Sequence, residues 1–305
     1  MKKLLPYVYQ TESAFAKRRP LFYERYGNMV DEFGFDMEVF ARTEFYMRFL
    51  FEDYFQVKLY GVENIPADGA AILAGNHNGV LPLDAFMLLQ AAADRHPSPR
   101  LVRFLSHDCC FWGVNMRRLI SGVGGVHATY RNAKTLLKRG EVVGIYPGAE
   151  RAMGVPFDFS YNVAEFNRAF VRLAIETQSA IIPVATVGNV EPYPLIGNSK
   201  TIAKLFDVPF FWITPFFPLL PFPFSWTPLP TKWAMYIGKP IYLDYPRQKA
   251  NDKELLNRIT AEFQDYIQQL VNDMLKLRRS PLKGWDDQEL TQWAMSANHE
   301  FATRT

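Results

Sequence analysis

Short apolar runs alternate along the middle of the chain with stretches of helical periodicity. The apolar runs are continuous, which is typical of strands buried on both faces. They lie at residues 70–76, 101–105, 141–147, 180–188 and 233–237. Helical patterns lie at residues 84–95, 132–140, 166–178 and 252–279. This order predicts an α/β fold with a mostly parallel central sheet flanked by helices on both faces.

The two ends of the chain are predicted to be helical. Residues 37–55 have apolar side chains around most of a helix, so this helix either packs against the core or lies partly in a membrane interface. A short helix is expected after Pro281. We expect one structural domain with an N-terminal helical segment (1–54) on the core or on a membrane surface, an α/β core (55–245) and C-terminal helices (246–305).

Charge and cysteine content narrow the range of partners. The chain has 34 basic and 31 acidic residues, a balance that does not favour a nucleic-acid partner. Cys109 and Cys110 are adjacent and suit a reducing compartment, and the histidines lack metal-ligand spacing. The N-terminal residues lack the apolar core of a signal peptide. We therefore expect no metal and a cytoplasmic location on the inner face of a membrane.

Residues 206–233 combine aromatic residues with many prolines, which exclude a long helix. One interpretation is a buried crossover. The other is an apolar patch that enters the lipid interface or walls an acyl groove, where Trp212, Trp226 and Trp233 suit an interfacial depth. On the second interpretation, deleting residues 216–224 is expected to weaken binding to liposomes.

The first apolar run ends in Asn76 and His77, and Asp84 follows at the start of a predicted helix. Ligands of open α/β sheets bind beyond the carboxyl ends of strands. A carboxylate on one imidazole nitrogen leaves the other nitrogen as a base. Alternatively, His77 is structural and Asp84 only caps the helix. No GxSxG nucleophile motif is present, so His77 would activate a substrate hydroxyl directly.

Four stretches in order resemble the blocks of the phospholipid/glycerol acyltransferase family, the lysophosphatidic-acid-acyltransferase-like enzymes. NHNGVLPLDA (76–85) resembles the first block in the NHxGxLPxD form of one bacterial branch, with Asp84 two positions later than usual. In GVGGVHATYRNA (122–133), Gly125 and Arg131 match the spacing of the second block. YPGAER (146–151) is similar to the FPEGTR-like third block, with the glutamate at position 150. AIIPVATVG (180–188) resembles the fourth.

This resemblance implies an O-acyltransferase with the family's fold. His77 would be the general base and Asp84 its partner. Arg131 and Arg151 would contact the acceptor's phosphate, Glu150 the acceptor, and Gly148 would allow close approach of the backbone. The donor would be acyl-CoA or acyl-carrier protein, and the acceptor a lysophospholipid or glycerol phosphate. No bound cofactor is implied.

Other functions remain open from the sequence. The altered third block is compatible with a neutral acceptor, such as diacylglycerol or a long-chain alcohol. A non-catalytic lipid-binding protein on the same fold, and a hydrolase in which His77 activates water, are further alternatives.

Overall fold

A computed structural model gives the structure of residues 12–77, 82–149, 161–194, 197–205, 211–214, 216 and 227–297. The N-terminal part contains α1 (Glu12–Arg18), α2 (Pro20–Tyr26) and α3 (Met37–Phe49), and α3 continues into a π-helical turn (Leu50–Tyr54). The central sheet contains β1 (Lys58–Tyr60), β2 (Ala71–Gly75), β3 (Val102–Ser106), β4 (Val126–His127), β5 (Val142–Ile145), β6 (Ala180–Val187) and β9 (Ala234–Ile237).

Helices alternate with these strands and close the chain. They are α4 (Leu83–Asp94), α5 (Gly113–Gly122), α6 (Tyr130–Lys138), α7 (Ala169–Thr177), α8 (Lys200–Leu205), α9 (Lys253–Lys276) and α10 (Asp287–Ser296). Two small antiparallel pairs lie outside the central sheet. They are β7 (Gly197–Asn198) with β8 (Trp212–Ile213), and β10 (Arg278–Ser280) with β11 (Gly284–Trp285).

The central sheet has the strand order β1-β9-β6-β2-β5-β3-β4. Five neighbouring strands, from β6 to β4, are parallel, whereas β9 is antiparallel to β6 and parallel to β1. In the register at the centre of the sheet, Ile72 of β2 lies between Val143 of β5 and Ile181 of β6. The predicted class, a mostly parallel sheet with flanking helices, is confirmed.

The central strands are apolar throughout because both faces of the sheet are covered. Ile72 and Ala74 of β2 belong to the core that contains α6, α7 and α9, and the alternate residues Ala71 and Leu73 belong to the core on the other face. The second core contains α1 to α4, and in it the rings of Phe22 and Phe40 stack 4.8 Å apart. Covering both faces removes the alternation of a half-exposed strand.

Several segments differ from the sequence-based expectation, which did not include the short elements β4, β7, β8 and α8. The sequence pattern did not predict α5, because residues 113–118 are all exposed and carry no apolar stripe to bury. The last long helix ends at Lys276 instead of residue 279, and Arg278–Ser280 pairs with Gly284–Trp285 as a hairpin. Pro281 lies in the turn of this hairpin, where it cannot continue a helix.

The predicted interfacial position of Trp233 is wrong. Its side chain is fully buried and stacks on Phe55 with 4.7 Å between ring centroids. Trp226 and most of residues 216–224 lie outside the described residues. Among the helices that the structure describes, none is both long and apolar enough to cross a membrane.

Candidate active site

The candidate site lies at the carboxyl edge of the five parallel strands. His77 follows β2, Tyr146 follows β5 and Asn189 follows β6, and β2 lies between the other two strands. The carboxyl ends of neighbouring parallel strands lie at the same edge of a sheet. His77, Tyr146 and Asn189 therefore lie near one another at that edge, although they are far apart in the sequence.

Asn76 fixes the backbone just before His77. Its side-chain amide donates to the carbonyl of Thr186 at 2.9 Å and its side-chain oxygen accepts from the Thr186 N–H at 2.9 Å. Asn76 is 1% exposed, so both bonds are shielded from water. The side chain thus extends the β2–β6 pairing by one residue and holds His77 at the end of the sheet.

The structure brings His77 and Asp84 together. His77 Nδ1 lies 2.7 Å from Asp84 Oδ2, although residues 78–81 of the connecting loop lie outside the described part. Asp84 is the second residue of α4 and is 1% exposed. With its proton on Nδ1, the neutral ring leaves the Nε2 lone pair free, and Nε2 has no partner among the described residues.

Asp84 is held from two further directions. Its Oδ1 accepts the backbone N–H of Ala85 at 2.8 Å, and the Asn189 side-chain amide donates to its Oδ2 at 3.2 Å. Asn189 is itself 4% exposed. The sequence analysis missed Asn189, although a polar residue directly after the buried run 180–188 was an available signal.

The loop that carries Asn189 is fixed by a buried network. Gly188 has φ +107°, and a Cβ there would lie 2.4 Å from the Lys232 carbonyl, so only glycine fits. The Gly188 N–H donates to the Tyr161 hydroxyl at 2.8 Å, and that hydroxyl donates to Glu191. Glu191 also pairs with Arg278 of β10 at 2.5 Å. The C-terminal hairpin therefore holds the β6 loop in place.

The environment of His77 favours its protonated form. Burial opposes the imidazolium, but the charge of Asp84 and its hydrogen bond outweigh burial, so the pKa of His77 lies above its ordinary value. A base with a raised pKa binds a proton more strongly once it has taken one. The pair can thus accept a proton and keep the resulting charge compensated.

Tyr146 places a partly buried ring with a buried hydroxyl beside this pair. Its ring lies 5.0 Å from the His77 ring and is parallel to the Phe104 ring at 6.2 Å. The hydroxyl is buried and has no hydrogen-bond partner among the described residues. Burial, together with the nearby charge of Asp84, raises the pKa of Tyr146 well above its ordinary value. The phenol is therefore neutral and has a proton to donate.

A cavity of about 180 Å³ adjoins Tyr146 and reaches the N-terminus of α6. Most of its wall is apolar, and Thr129 and Tyr130 close one side. The Thr129 side chain caps α6, whose first turn carries no acidic residue.

A larger groove of about 820 Å³, containing Arg168 and Arg172, shares Tyr130 with the cavity. The shared wall makes the two spaces neighbours at the same end of the sheet.

The predicted substrate-binding residues have different outcomes. Arg131 is exposed in the first turn of α6, next to Tyr130 of the cavity wall. Gly148 is buried, and a Cβ there would lie 2.8 Å from the Ala164 carbonyl, so this glycine is required by the protein's own packing. Glu150 and Arg151 lie outside the described residues. The substrate contacts of all four remain predictions.

The Asn189→Ala variant is expected to lower kcat about tenfold with little change in KM. The substitution removes one of the two hydrogen bonds that hold Asp84, so the carboxylate orients His77 less well. Steady-state kinetics at several pH values measure this effect. Thr231→Val is the matched control, because Thr231 donates to the Gly188 carbonyl of the same loop without contacting Asp84. Equal losses in both variants would mean that Asn189 acts only through the fold.

Comparisons with known proteins agree with this architecture. Residues 56–187 match the family described as Acyltransferase. An uncharacterized protein of Mycobacterium leprae is 37% identical over 254 residues, which cover 82% of this chain and 69% of that protein. A protein of Bos taurus named DGAT1/2-independent enzyme synthesizing storage lipids is 26% identical over 216 residues, 70% of this chain and 59% of that one.

A solved structure shares the fold. The 1-acyl-sn-glycerophosphate (LPA) acyltransferase PlsC of Thermotoga maritima superimposes with a TM-score of 0.52 at 18% identity, covering 88% of this chain and 95% of that chain. The family match, residues 56–187, spans β2, β5 and β6, the strands that precede His77, Tyr146 and Asn189. The chain is an acyltransferase and belongs to the phospholipid/glycerol acyltransferase family.

Proposed function

We propose that the protein moves a fatty acyl group from an acyl thioester to a hydroxyl of a glycerolipid, on the cytoplasmic face of a membrane. The observation that carries the proposal is the pair of His77 with the buried Asp84, whose Nδ1 and Oδ2 atoms are 2.7 Å apart, with Nε2 free at the carboxyl edge of the sheet. Family membership supplies the reaction class, and the pair supplies a base of the required kind.

In the proposed reaction, the acceptor oxygen attacks the carbonyl carbon of the thioester while His77 Nε2 takes the hydroxyl proton. Asp84 stabilises the imidazolium that forms. The tetrahedral intermediate collapses, the C–S bond breaks, and the imidazolium returns its proton to the leaving thiolate. The products are the ester and a free thiol, and the enzyme returns to its starting protonation state.

Tyr146 is proposed to donate a hydrogen bond to the carbonyl oxygen of the thioester. A buried hydroxyl without a partner is costly in a folded protein, and a substrate oxygen would satisfy it. Negative charge develops on that oxygen as the tetrahedral intermediate forms. A neutral donor in a water-excluded site stabilises such charge more than it stabilises the substrate.

The Tyr146→Phe variant is expected to lower kcat on the order of a hundredfold with KM nearly unchanged. Phenylalanine keeps the ring contacts with His77 and Phe104, so only the hydroxyl is lost. Tyr236→Phe is the matched control, because its hydroxyl is also buried but donates to the Ala297 carbonyl. An unchanged kcat in Tyr146→Phe would exclude the hydroxyl from the reaction.

A phosphorylated acceptor, such as a lysophospholipid or glycerol phosphate, suits the α6 end of the cavity. The N-terminus of a helix attracts anions, and α6 has no acid in its first turn to compensate it. Arg131 is exposed there and has no partner among the described residues, so its guanidinium is available to a phosphate. Glu150 and Arg151 remain candidate acceptor contacts from the sequence.

The donor is proposed to be acyl-CoA, with acyl-carrier protein as the alternative. The groove beside the cavity contains two arginines, and Arg172 lies over the Tyr130 ring at 5.0 Å. Arginine is well suited to the phosphates of coenzyme A. No bound cofactor enters the proposed reaction.

A neutral acceptor such as diacylglycerol is the second candidate. The observation in its favour is the bovine relative, whose name describes the synthesis of storage lipids. A neutral acceptor would not need the guanidinium of Arg131, which distinguishes the two candidates.

The test is thiol release from palmitoyl-CoA with lysophosphatidic acid, with diacylglycerol and without acceptor. Release that depends on lysophosphatidic acid and falls in Arg131→Gln supports the proposal. Release that depends on diacylglycerol and is unaffected in Arg131→Gln supports the second candidate. Release without any acceptor would identify a hydrolase, and lipid binding without turnover of any thioester would contradict both candidates.

A further inference from the structure

The segment from Trp112 to Arg118 projects from the body of the protein. All seven of its residues are exposed, including the first two turns of α5. Trp112 is 52% exposed, Val114 83% and Met116 46%. The last turn of α5 is anchored, because Ile120 and Gly122 are buried and Gly122 packs on Val39 of α3. The fold therefore holds α5 by its last turn and leaves three large apolar side chains in water.

No other stretch of the described residues exposes large apolar side chains so close together in the sequence. Elsewhere they are isolated along the chain, at Leu21, Val30, Tyr46, Leu205, Tyr242, Leu282 and Met295. Single exposed apolar residues are ordinary on soluble proteins, whereas a cluster marks an interaction surface. The cluster at residues 112–118 therefore needs a partner.

The charges beside the cluster indicate what the partner is. Arg117 and Arg118 are exposed and have no carboxylate partner among the described residues. The segment itself contains no acid, and the nearest carboxylate in sequence, Asp108, pairs with His127 at 2.9 Å. An aromatic and two aliphatic side chains next to unpaired arginines complement an anionic lipid surface, with apolar groups below the headgroups and arginines among the phosphates.

The position of the segment fits the same partner. It is joined to β3 by His107, which lines the cavity beside Tyr146, and by a 3-10 turn (Asp108–Phe111). The ring of Phe111, the residue before Trp112, stacks on the His127 ring with 3.8 Å between ring centroids. This contact fixes the start of the segment at the same edge of the sheet. A membrane that contacts Trp112 would thus lie on the side where the site opens.

We infer that residues 112–118 dock the protein on an anionic membrane surface and turn the mouth of the active site towards the lipid. The inference rests on the proposed function in one respect: docking would bring the active site to its substrates only if those substrates are lipids. Trp112, Val114 and Met116 enter the interface, and Arg117 and Arg118 contact lipid phosphates. Residues 112–118 are a different stretch of the chain from residues 206–233, for which the sequence suggested a lipid contact.

The test is co-sedimentation with vesicles of phosphatidylcholine containing one third phosphatidylglycerol. We expect Arg117→Gln/Arg118→Gln to weaken binding on the order of tenfold and to remove most of its salt dependence. Trp112→Ser/Val114→Ser/Met116→Ser should weaken it by at least as much. Val30→Ser/Leu282→Ser and Lys138→Gln/Lys239→Gln, at exposed positions elsewhere, should bind as wild type.

A second measurement does not depend on disruptive substitutions. Brominated lipids should quench wild-type fluorescence, and most of this quenching should disappear in Trp112→Phe, which keeps an aromatic ring and vesicle binding. Wild-type protein that does not bind vesicles, docking variants that bind like the controls, or unchanged quenching in Trp112→Phe would each overturn the inference.

The experiment also separates docking from catalysis. With a short-chain thioester and a water-soluble acceptor, the docking variants should keep wild-type turnover. The catalytic variant His77→Ala should bind vesicles normally. Vesicle binding is measured without turnover, so the docking result stands even if the proposed reaction is disproved.

Discussion

The His77→Ala variant is expected to lose about a thousandfold in kcat for acyl transfer. General-base catalysis contributes roughly a hundred- to ten-thousandfold, and among the described residues no other histidine contacts Asp84. The variant should still fold, since His77 contributes one hydrogen bond and a ring contact with Tyr146. Thiol release and ester formation measure the loss, and circular dichroism checks the fold.

His127 offers a matched control for this substitution. It also pairs with an aspartate, since its Nδ1 lies 2.9 Å from Asp108 Oδ1, but both side chains are largely exposed. We expect His127→Ala to stay within about twofold of wild type, because an exposed pair is weak and His127 does not contact Asp84. Substantial activity in His77→Ala would remove His77 as the base, and a large loss in His127→Ala would move the base to that position.

The Asp84→Asn variant is expected to lower the plateau of kcat/KM on the order of a thousandfold and to shift the pH dependence of kcat/KM. Asparagine keeps the shape of this buried side chain but removes its charge. Its amide nitrogen can also face Nδ1 as a donor, which would favour the tautomer with the proton on Nε2 and remove the base. The measurement is kcat/KM as a function of pH in wild type and variant.

The direction of the shift follows from the environment of His77. A base acts only in its neutral form, so wild-type activity falls as pH falls through the raised pKa of His77. Without the charge of Asp84, burial is left to oppose protonation and the pKa of His77 decreases. The acidic limb of the profile should therefore move to lower pH while the plateau falls.

Asp108→Asn is the control for the pH profile, because it changes the exposed partner of His127. It should leave both the plateau and the acidic limb in place. An acidic limb that stays unchanged in Asp84→Asn would show that His77 does not set the pH dependence. A limb that moves to higher pH would contradict the electrostatic role of Asp84.

The sequence predicted the central residues of the candidate site but not the residues that hold them in position. His77 and Asp84 are seven residues apart, and their chemistry and family resemblance indicate a base and its partner. Asn189 contacts Asp84 from 105 residues away, through a loop that Tyr161, Glu191 and Arg278 hold in place. Such a contact depends on β2 and β6 being neighbours, which no local pattern encodes.

Tyr146 and Trp233 also show that residue type alone did not predict how a side chain is buried. The sequence marked Tyr146 as the aromatic of the third block, but only the packing shows that its hydroxyl is buried without a partner beside His77. Trp233 suited a membrane interface by composition, yet it stacks on Phe55 in the core. Burial is read from the regular spacing of apolar and polar residues. A segment rich in prolines and aromatic residues lacks this spacing, so residue type alone does not show which of its side chains are buried.

The sequence by itself determined the fold class, five of the seven strands of the central sheet, the longer helices apart from α5, and the histidine and aspartate of the candidate site. A continuous apolar run, or apolar residues at helical spacing, indicates which side chains of a segment are buried. Both patterns can be read within a single short segment of the sequence. Tertiary structure decided the order of the strands, the reversed direction of β9, the hydrogen bonds around Asp84 and the exposure of residues 112–118. These features depend on which distant segments pack together, and that choice follows from the free energy of the whole chain.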